Sequence, residues 1–327
     1  MKAIVYEKYG SPDVLQLKEL VKRYPGSNEV LIKVFASTVT KYDCWARSST
    51  APPGFWLPSR IASGFRKPKQ PILGTELSGE IESVGQTVKR FKKGDQVFAF
   101  LMNLGAYAEY VCIPEDGFMA LKPTNMTYEE AAAAVQGGLT ALYFLRKENI
   151  QRGHKVLVFG ASGGIGTYAV QLAKYFGAEV TGVCSTSKME MVKSLGADKV
   201  IDYTKEDFTN NVQTYDIIFD TVGKTSISRT ISSLKENGRY IFATFGLPML
   251  IQVFWLLRKS DKKAIIGVLE ERPEDLVFLK KLIEAGEIKP VIDRRYALEQ
   301  TAEAHRFVET GQKKGSVIIT MGHKNKT

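Results

Sequence analysis

The sequence predicts an α/β protein in which a doubly wound parallel sheet is joined to a second, β-rich domain. Three observations predict it. From residue 154 onward, short apolar runs alternate with amphipathic segments, the pattern of a parallel sheet covered on both faces. A glycine-rich turn at 160–166 stands between the first apolar run and the first amphipathic segment. Residues 1–120 instead carry brief apolar runs separated by Gly, Pro and charged residues, which reads as β structure. At 327 residues the chain exceeds the usual size of one core, so two domains are the default.

The start, Met1-Lys2-Ala3-Ile4-Val5, lacks an apolar run followed by a small-residue cleavage site and reads as a first strand rather than a signal peptide. Further strands are expected at 30–36, 77–84, 96–100 and 108–113. Thr127 with Glu130 three residues later forms a capping-box pattern, and the alanines at 131–134 favour a helix behind it. Parallel strands are expected at 154–159, 179–184, 199–202, 216–220, 239–245 and 264–269. The first intervening helix shows its buried face in Ala169, Leu172, Ala173 and Phe176, and Gly177 ends it. After a helix at 273–285, strands at 291–293 and 316–320 around a helix at 301–309 are assigned back to the β-rich domain. The expected domains are therefore 1–124, 125–286 for the parallel sheet, and 287–327 returning to the first. Residues 322–327 read as a frayed polar tail, which makes His323 a poor ligand candidate.

Composition narrows the function classes. The chain is 44% hydrophobic and 24% charged, ordinary for a folded, water-soluble protein. Its net charge of +10 is scattered, apart from groups at 66–69 and 258–263, and no nucleic-acid motif accompanies it. Attraction of anionic ligands, a phosphorylated cofactor among them, accounts for the charge without nucleic acid. Cys44, Cys112 and Cys184 are odd in number and lack a CxxC spacing, which argues against disulfides or a cysteine zinc site and fits a reducing cytoplasm. No stretch reaches the roughly 18 apolar residues of a membrane span.

The chemical signal is strongest at residues 160–166. The fingerprint G-x-G-x-x-G falls on Ala161, Gly163 and Gly166, with alanine replacing the first glycine; Gly160, Ser162, Gly164 and Ile165 complete the turn. Gly163 lets backbone approach a pyrophosphate, Gly166 lets the helix pack on the strand, and the helix N-terminus offers amides to the phosphates. An NAD site asks for Asp or Glu at the end of the next strand, about 20 residues on. That end reads Val183-Cys184-Ser185-Thr186-Ser187-Lys188, and the first acid, Glu190, falls inside the next helix. Hydroxyls with a lysine, here Ser185 and Lys188, suit the extra phosphate of NADP (NADPH). The competing reading of Lys188 is a solvated helix residue.

Several motifs recur in a known order: Gly74-Thr75-Glu76-Leu77-Ser78-Gly79, Val84-Gly85, Gly94-Asp95-Gln96-Val97, Gly138-Leu139-Thr140-Ala141 and the 160–166 turn. By these the chain resembles the medium-chain dehydrogenase/reductase superfamily, in its zinc-independent, quinone oxidoreductase-like branch. The resemblance implies a Rossmann doubly wound parallel sheet plus a β-rich GroES-like domain. It also shows what is missing. Thr75 stands where zinc-dependent relatives carry His, Cys44 is out of the ligand register, and 98–107 holds no cysteine. With His154, His305 and His323 scattered along the chain, no metal site is expected.

Without a metal to stabilise an alkoxide, the implied reaction is hydride transfer from NADPH to a quinone or an α,β-unsaturated carbonyl. An alcohol or ketone oxidoreductase of the same fold, or a cofactor-binding protein without catalysis, are the alternatives. The resemblance further places Thr140 near the nicotinamide, Tyr203 beside the adenosine phosphate, and Val222, Phe245 and Gly246 along the nicotinamide ribose. It assigns Thr40, Tyr42 and Trp45 to the acceptor side, with Thr40 where the family more often has Asn. Asp43 and Arg47 also match the family pattern, but at i,i+4 they read equally as a structural ion pair. Two apolar segments, 54–58 and 248–257, each precede basic residues. Burial in the fold or in a homodimer is expected for them, ahead of a pocket for the small-molecule electron acceptor or contact with an anionic membrane.

Overall fold

The computed structural model describes residues 1–323 other than 211, 259, 268 and 271. The chain divides into two compact units: Met1–Ala51, Trp56–Gln136 and Glu271–Thr327 form one, and Pro52–Phe55 with Gly137–Glu270 the other.

The first unit is built on β strands. A two-stranded antiparallel ribbon pairs β1 (Lys2–Val5) with β2 (Gln16–Glu19). The main sheet uses β3 (Glu29–Thr38), β4 (Glu76–Val84), β5 (Gln96–Phe100), β6 (Tyr110–Pro114) and β7 (Met119–Leu121). Their buried positions, among them Val30, Ile32, Leu77, Ile81 and Val97, fill one core. Two short helices interrupt the strands, α1 (Lys41–Ser48) and α2 (Trp56–Ser63). The capping box read from Thr127 and Glu130 forms, opening α3 (Tyr128–Ala133). Next comes α4 (Val135–Lys147), which carries the chain from the first unit into the second.

The second unit holds six parallel strands: β8 (Lys155–Phe159), β9 (Glu179–Cys184), β10 (Lys199–Asp202), β11 (Tyr215–Asp220), β12 (Leu234–Phe242) and β13 (Lys263–Ile266). They lie in the order β10-β9-β8-β11-β12-β13. This is the order of two mononucleotide-binding halves, with its reversal between β8 and β11. Helices α5 (Gly166–Tyr175), α6 (Met189–Ser194), α7 (Ile227–Ser232) and α8 (Leu247–Leu257) alternate with the strands. Strand β12 begins five residues earlier than expected and stops at Phe242, because its N-terminal part pairs with Tyr215 across a register shift.

The C-terminal part returns to the first unit. After α9 (Pro273–Glu284), β14 (Ile292–Ala297) and β15 (Ser316–Thr320) flank α10 (Thr301–Glu309), and β15 pairs antiparallel with β3. Residues 125–136 and 272–286, assigned by sequence to the parallel-sheet domain, group by contacts with the first unit instead. The reason is packing: α3 lies on β3, β4 and β15, and α9 lies on β7. His323 also departs from expectation. Its Nε2 stands 2.7 Å from the Val34 carbonyl, and its ring packs on Phe35 and Tyr110. The remainder of the expected tail, 324–327, lies outside the described residues.

Candidate functional site

In the second unit, the 160–166 turn links β8 to α5. Gly160 takes φ +79°, a left-handed conformation, so the sharp bend falls one residue before the Ala161 that occupies the first fingerprint position. A Cβ on Gly166 would stand 2.1 Å from the Gly160 carbonyl oxygen, whereas one on Gly163 would meet nothing closer than 3.4 Å. Gly166 is thus required by the fold, whereas a Cβ at Gly163 would make only ordinary contact, so the fold alone does not require that glycine. No side chain caps the N-terminus of α5. A positive dipole end beside that glycine fits the diphosphate of a dinucleotide.

The other cofactor candidates gather at the same edge, beyond the C-terminal ends of parallel strands. Thr221 Oγ1 donates to the Phe159 and Gly160 carbonyls, placing Val222 against the turn. Asp220, fully buried, accepts from the amides of Val222 and Gly223 and so shapes that loop. Tyr203 is exposed, its ring 6.4 Å from that of Phe159. Phe245 packs edge-on against Phe55, and Gly246 is the N-cap of α8. Ala161 and Ser162 are buried, while Gly164 and Ile165 are partly open. On α4, Gly137 lies against the Gly164 carbonyl, and half-buried Thr140 follows one turn later on that face.

The end of β9 holds a residue that the sequence reading passed over. Ser185 and Lys188 follow the strand, both half-buried, around a short 3-10 turn. Beside them stands Asp202, the last residue of neighbouring β10, paired in register with Cys184. Thr186 Oγ1 donates to one carboxylate oxygen, and Thr204 donates through its amide and hydroxyl to the other. These bonds hold the Asp202 carboxyl below its ordinary range. No acid ends β9 itself, but the sheet brings one alongside. Its signal was present as the terminal Asp of the 199–202 run.

In the first unit, Thr40 is the N-cap of α1. Its hydroxyl donates to Asp43 Oδ2 at 2.6 Å and accepts from the Asp43 amide at 3.2 Å. Its proton is therefore given to Asp43, within the helix cap. Asp43 is fully buried, also accepts from the Gly74 amide, and is pushed up to about 6 by burial. Tyr42 is about half exposed and Trp45 partly so; at i,i+3 they are neighbours on the outer side of the helix. The alternative Asp43–Arg47 ion pair does not form: Asp43 closes the capping box, and buried Arg47 pairs with Glu309.

Two further groups were not read from sequence as a site. Glu76, buried at the start of β4, accepts from Thr38 Oγ1 and the Gln136 amide, and burial pushes it up to about 8. The fold also brings Cys44 Sγ within 3.6 Å of His305 Nδ1, across 261 positions of sequence. Burial and the Arg47 guanidinium lower His305 to about 3, and burial raises the Cys44 thiol to about 12.

These residues do not suit a zinc ion. Thr75 Oγ1 is buried without a hydrogen-bond partner, two soft donors meet rather than three, and Arg47 beside them repels a cation. Among the described residues no group of three or more His, Cys, Asp or Glu is placed to hold a metal.

Residues 26–123 match the family model described as the alcohol dehydrogenase GroES-like domain, and 195–319 that described as zinc-binding dehydrogenase. A 2-methylene-furan-3-one reductase of Solanum lycopersicum is 33% identical over 98% of this chain and 79% of its own length. A chloroplastic NADPH-dependent alkenal/one oxidoreductase of Arabidopsis thaliana is 31% identical over the same shares. The quinone oxidoreductase of Coxiella burnetii superposes with a TM-score of 0.87 at 29% identity, over 98% of this chain and 99% of its own. The motifs, strand order and full-length matches agree: the chain belongs to the medium-chain dehydrogenase/reductase superfamily, in its quinone oxidoreductase-like branch, and is an oxidoreductase.

Proposed function

We propose that the protein uses NADPH to reduce a quinone or an α,β-unsaturated carbonyl compound, with no step through a metal. The observation that carries this reading is the turn from β8 to α5, where a glycine that the fold does not itself require, Gly163, lies at an uncapped helix N-terminus. Relatives named as quinone, alkenal/one and furanone reductases support the acceptor class. When bound, the dihydronicotinamide supplies a hydride to the acceptor, and solvent supplies the balancing proton.

The chain's own residues bind and orient. Turn amides and the α5 dipole hold the diphosphate, and Tyr203 flanks the adenosine end. Thr140, Val222, Phe245 and Gly246 line the nicotinamide end. Ser185 and Lys188 receive the 2′-phosphate. Asp202, alongside on β10, is held by Thr186 and Thr204. On the acceptor side, Tyr42 and Trp45 supply aromatic surface. Thr40 acts there through its helix cap, and its hydroxyl offers a remaining lone pair.

The test is oxidation of NADPH and NADH, followed by absorbance, against quinones, enones, aldehydes and ketones. NADPH turnover with quinones or enones is expected, and Lys188→Ala raises KM for NADPH while sparing NADH. Equal use of NADH overturns the cofactor reading. Tight NADPH binding with no turnover of any acceptor overturns the enzymatic one.

A further inference from the structure

Helix α8 has the sequence Leu-Pro-Met-Leu-Ile-Gln-Val-Phe-Trp-Leu-Leu, and only Val253 of it is buried. Ile251, Phe254 and Trp255, at i, i+3 and i+4, stand outward with 53%, 66% and 62% of their surface exposed. This corrects the expectation that the segment is buried within the fold. Residues 237–260 contain no Asp or Glu. Beyond them, across exposed Asp261, the chain continues with Lys262 and Lys263.

Behind the helix lies an open groove of about 720 Å³, floored by Leu250, Val253 and Leu257. Lys147, Arg239, Arg258, Lys262 and Lys263 also line it. Glu148 is the single acid among the described lining residues, and it pairs with Arg239. Lys262 Nζ is held by the Ile231 carbonyl, with Glu236 nearby, and Lys147 Nζ by the Tyr143 hydroxyl, which itself donates to Glu270. The Arg258 guanidinium lies over the Trp255 ring, 5.5 Å from its centre.

We propose that α8 and this cationic groove form a peripheral docking site for an anionic phospholipid surface. The outward aromatics enter the headgroup boundary, and the groove cations meet lipid phosphates. The charges decide between occupants. A two-fold contact with a second copy would bring two copies of this cation-rich face together, and the one acid among its described lining residues, Glu148, is already paired with Arg239. At 11 residues the helix spans about 16 Å, roughly half a hydrocarbon core, so it lies on the surface rather than across it. Among the described residues no helix is long and apolar enough to cross a membrane.

The first unit carries the same signature independently. Helix α2 buries none of its residues, and Trp56, Leu57 and Ile61 are exposed. Arg66, Lys67 and Lys69 follow it, and residues 44–75 contain no acid. None of this depends on the cofactor or on the proposed reaction.

The test is flotation of the full chain with vesicles of phosphatidylcholine alone or mixed with phosphatidylglycerol, at low and high salt, with tryptophan emission recorded. Binding to the phosphatidylglycerol vesicles at low salt, release by salt and a blue shift are expected. Arg258→Ala with Lys263→Ala weakens binding roughly fivefold per cation. Phe254→Ser with Trp255→Ser abolishes it, and Trp255→Phe largely restores it to the Phe254 protein; all these sites are exposed, and circular dichroism and NADPH oxidation verify the variants. Absence of flotation, or equal binding to pure phosphatidylcholine, overturns the proposal. So does a dimer by light scattering that Phe254→Ser with Trp255→Ser makes monomeric, which would assign the face to a second copy.

Discussion

Among single residues, Glu76 ties stability to pH. Its carboxyl is raised to about 8 by burial, from an ordinary value near 4.5, so the native state holds a proton that the unfolded chain has released. A group raised in this way stabilises fully below its unfolded value, and that contribution is lost as pH rises toward 8. Unfolding free energy measured in urea is therefore expected to fall by about 1.4 kcal/mol per pH unit across the middle of that window from this group alone. Glu76→Gln keeps an acceptor for the Gln136 amide, removes the titrating proton, and should flatten the slope. An unchanged slope in the variant would refute the assignment. The Gly-Thr-Glu motif was visible in the sequence, but the burial of its acid was not. Nothing local reports that α4 begins over Glu76, or that Cys44 and His305 meet.

Among elements, the strand-turn-helix from β8 to α5 was legible almost residue by residue. Its glycines state their requirements locally through φ and close approach. They also separate folding from binding. Gly166→Ala forces a Cβ to 2.1 Å from a backbone carbonyl and is expected to destabilise by about 1–3 kcal/mol. Gly163→Ala makes only ordinary contact, so the thermal midpoint should hold while NADPH affinity, measured by fluorescence titration, falls at least tenfold. Loss of stability in Gly163→Ala with affinity intact would reverse these roles. The Thr127 capping box was equally legible, because a cap involves residues three apart. Helix α8 was not: an apolar run reads as buried unless something shows which neighbours are missing.

For the whole molecule, the strand order makes one ligand hold several segments at once. The proposed cofactor residues from 160 to 246 follow the C-terminal ends of β8 to β12, so on that reading a bound dinucleotide ties together the segments after five strands of the second unit. NADPH at a hundredfold excess over its Kd is expected to stabilise that unit by about 2.7 kcal/mol, seen as a rise in the thermal midpoint, with NADH giving less. No shift with NADPH would mean that the edge does not bind it.

The sequence by itself determined the two-part architecture, the six parallel strands, the phosphate turn and the helix caps. Each rests on periodicity or on residues a few positions apart, where backbone geometry ties pattern to structure. Tertiary structure alone decided the rest: Asp202 beside the β9 end, Glu76 beneath the start of α4, residues 125–136 packed on the first sheet, and the aromatic face of α8 left open. Those outcomes depend on which distant surfaces exclude water from a residue, and no local pattern encodes that. The NADPH preference proposed for 183–188 stands between the two. Its hydroxyls and lysine are local, but the engagement of the neighbouring carboxylate is set by sheet register.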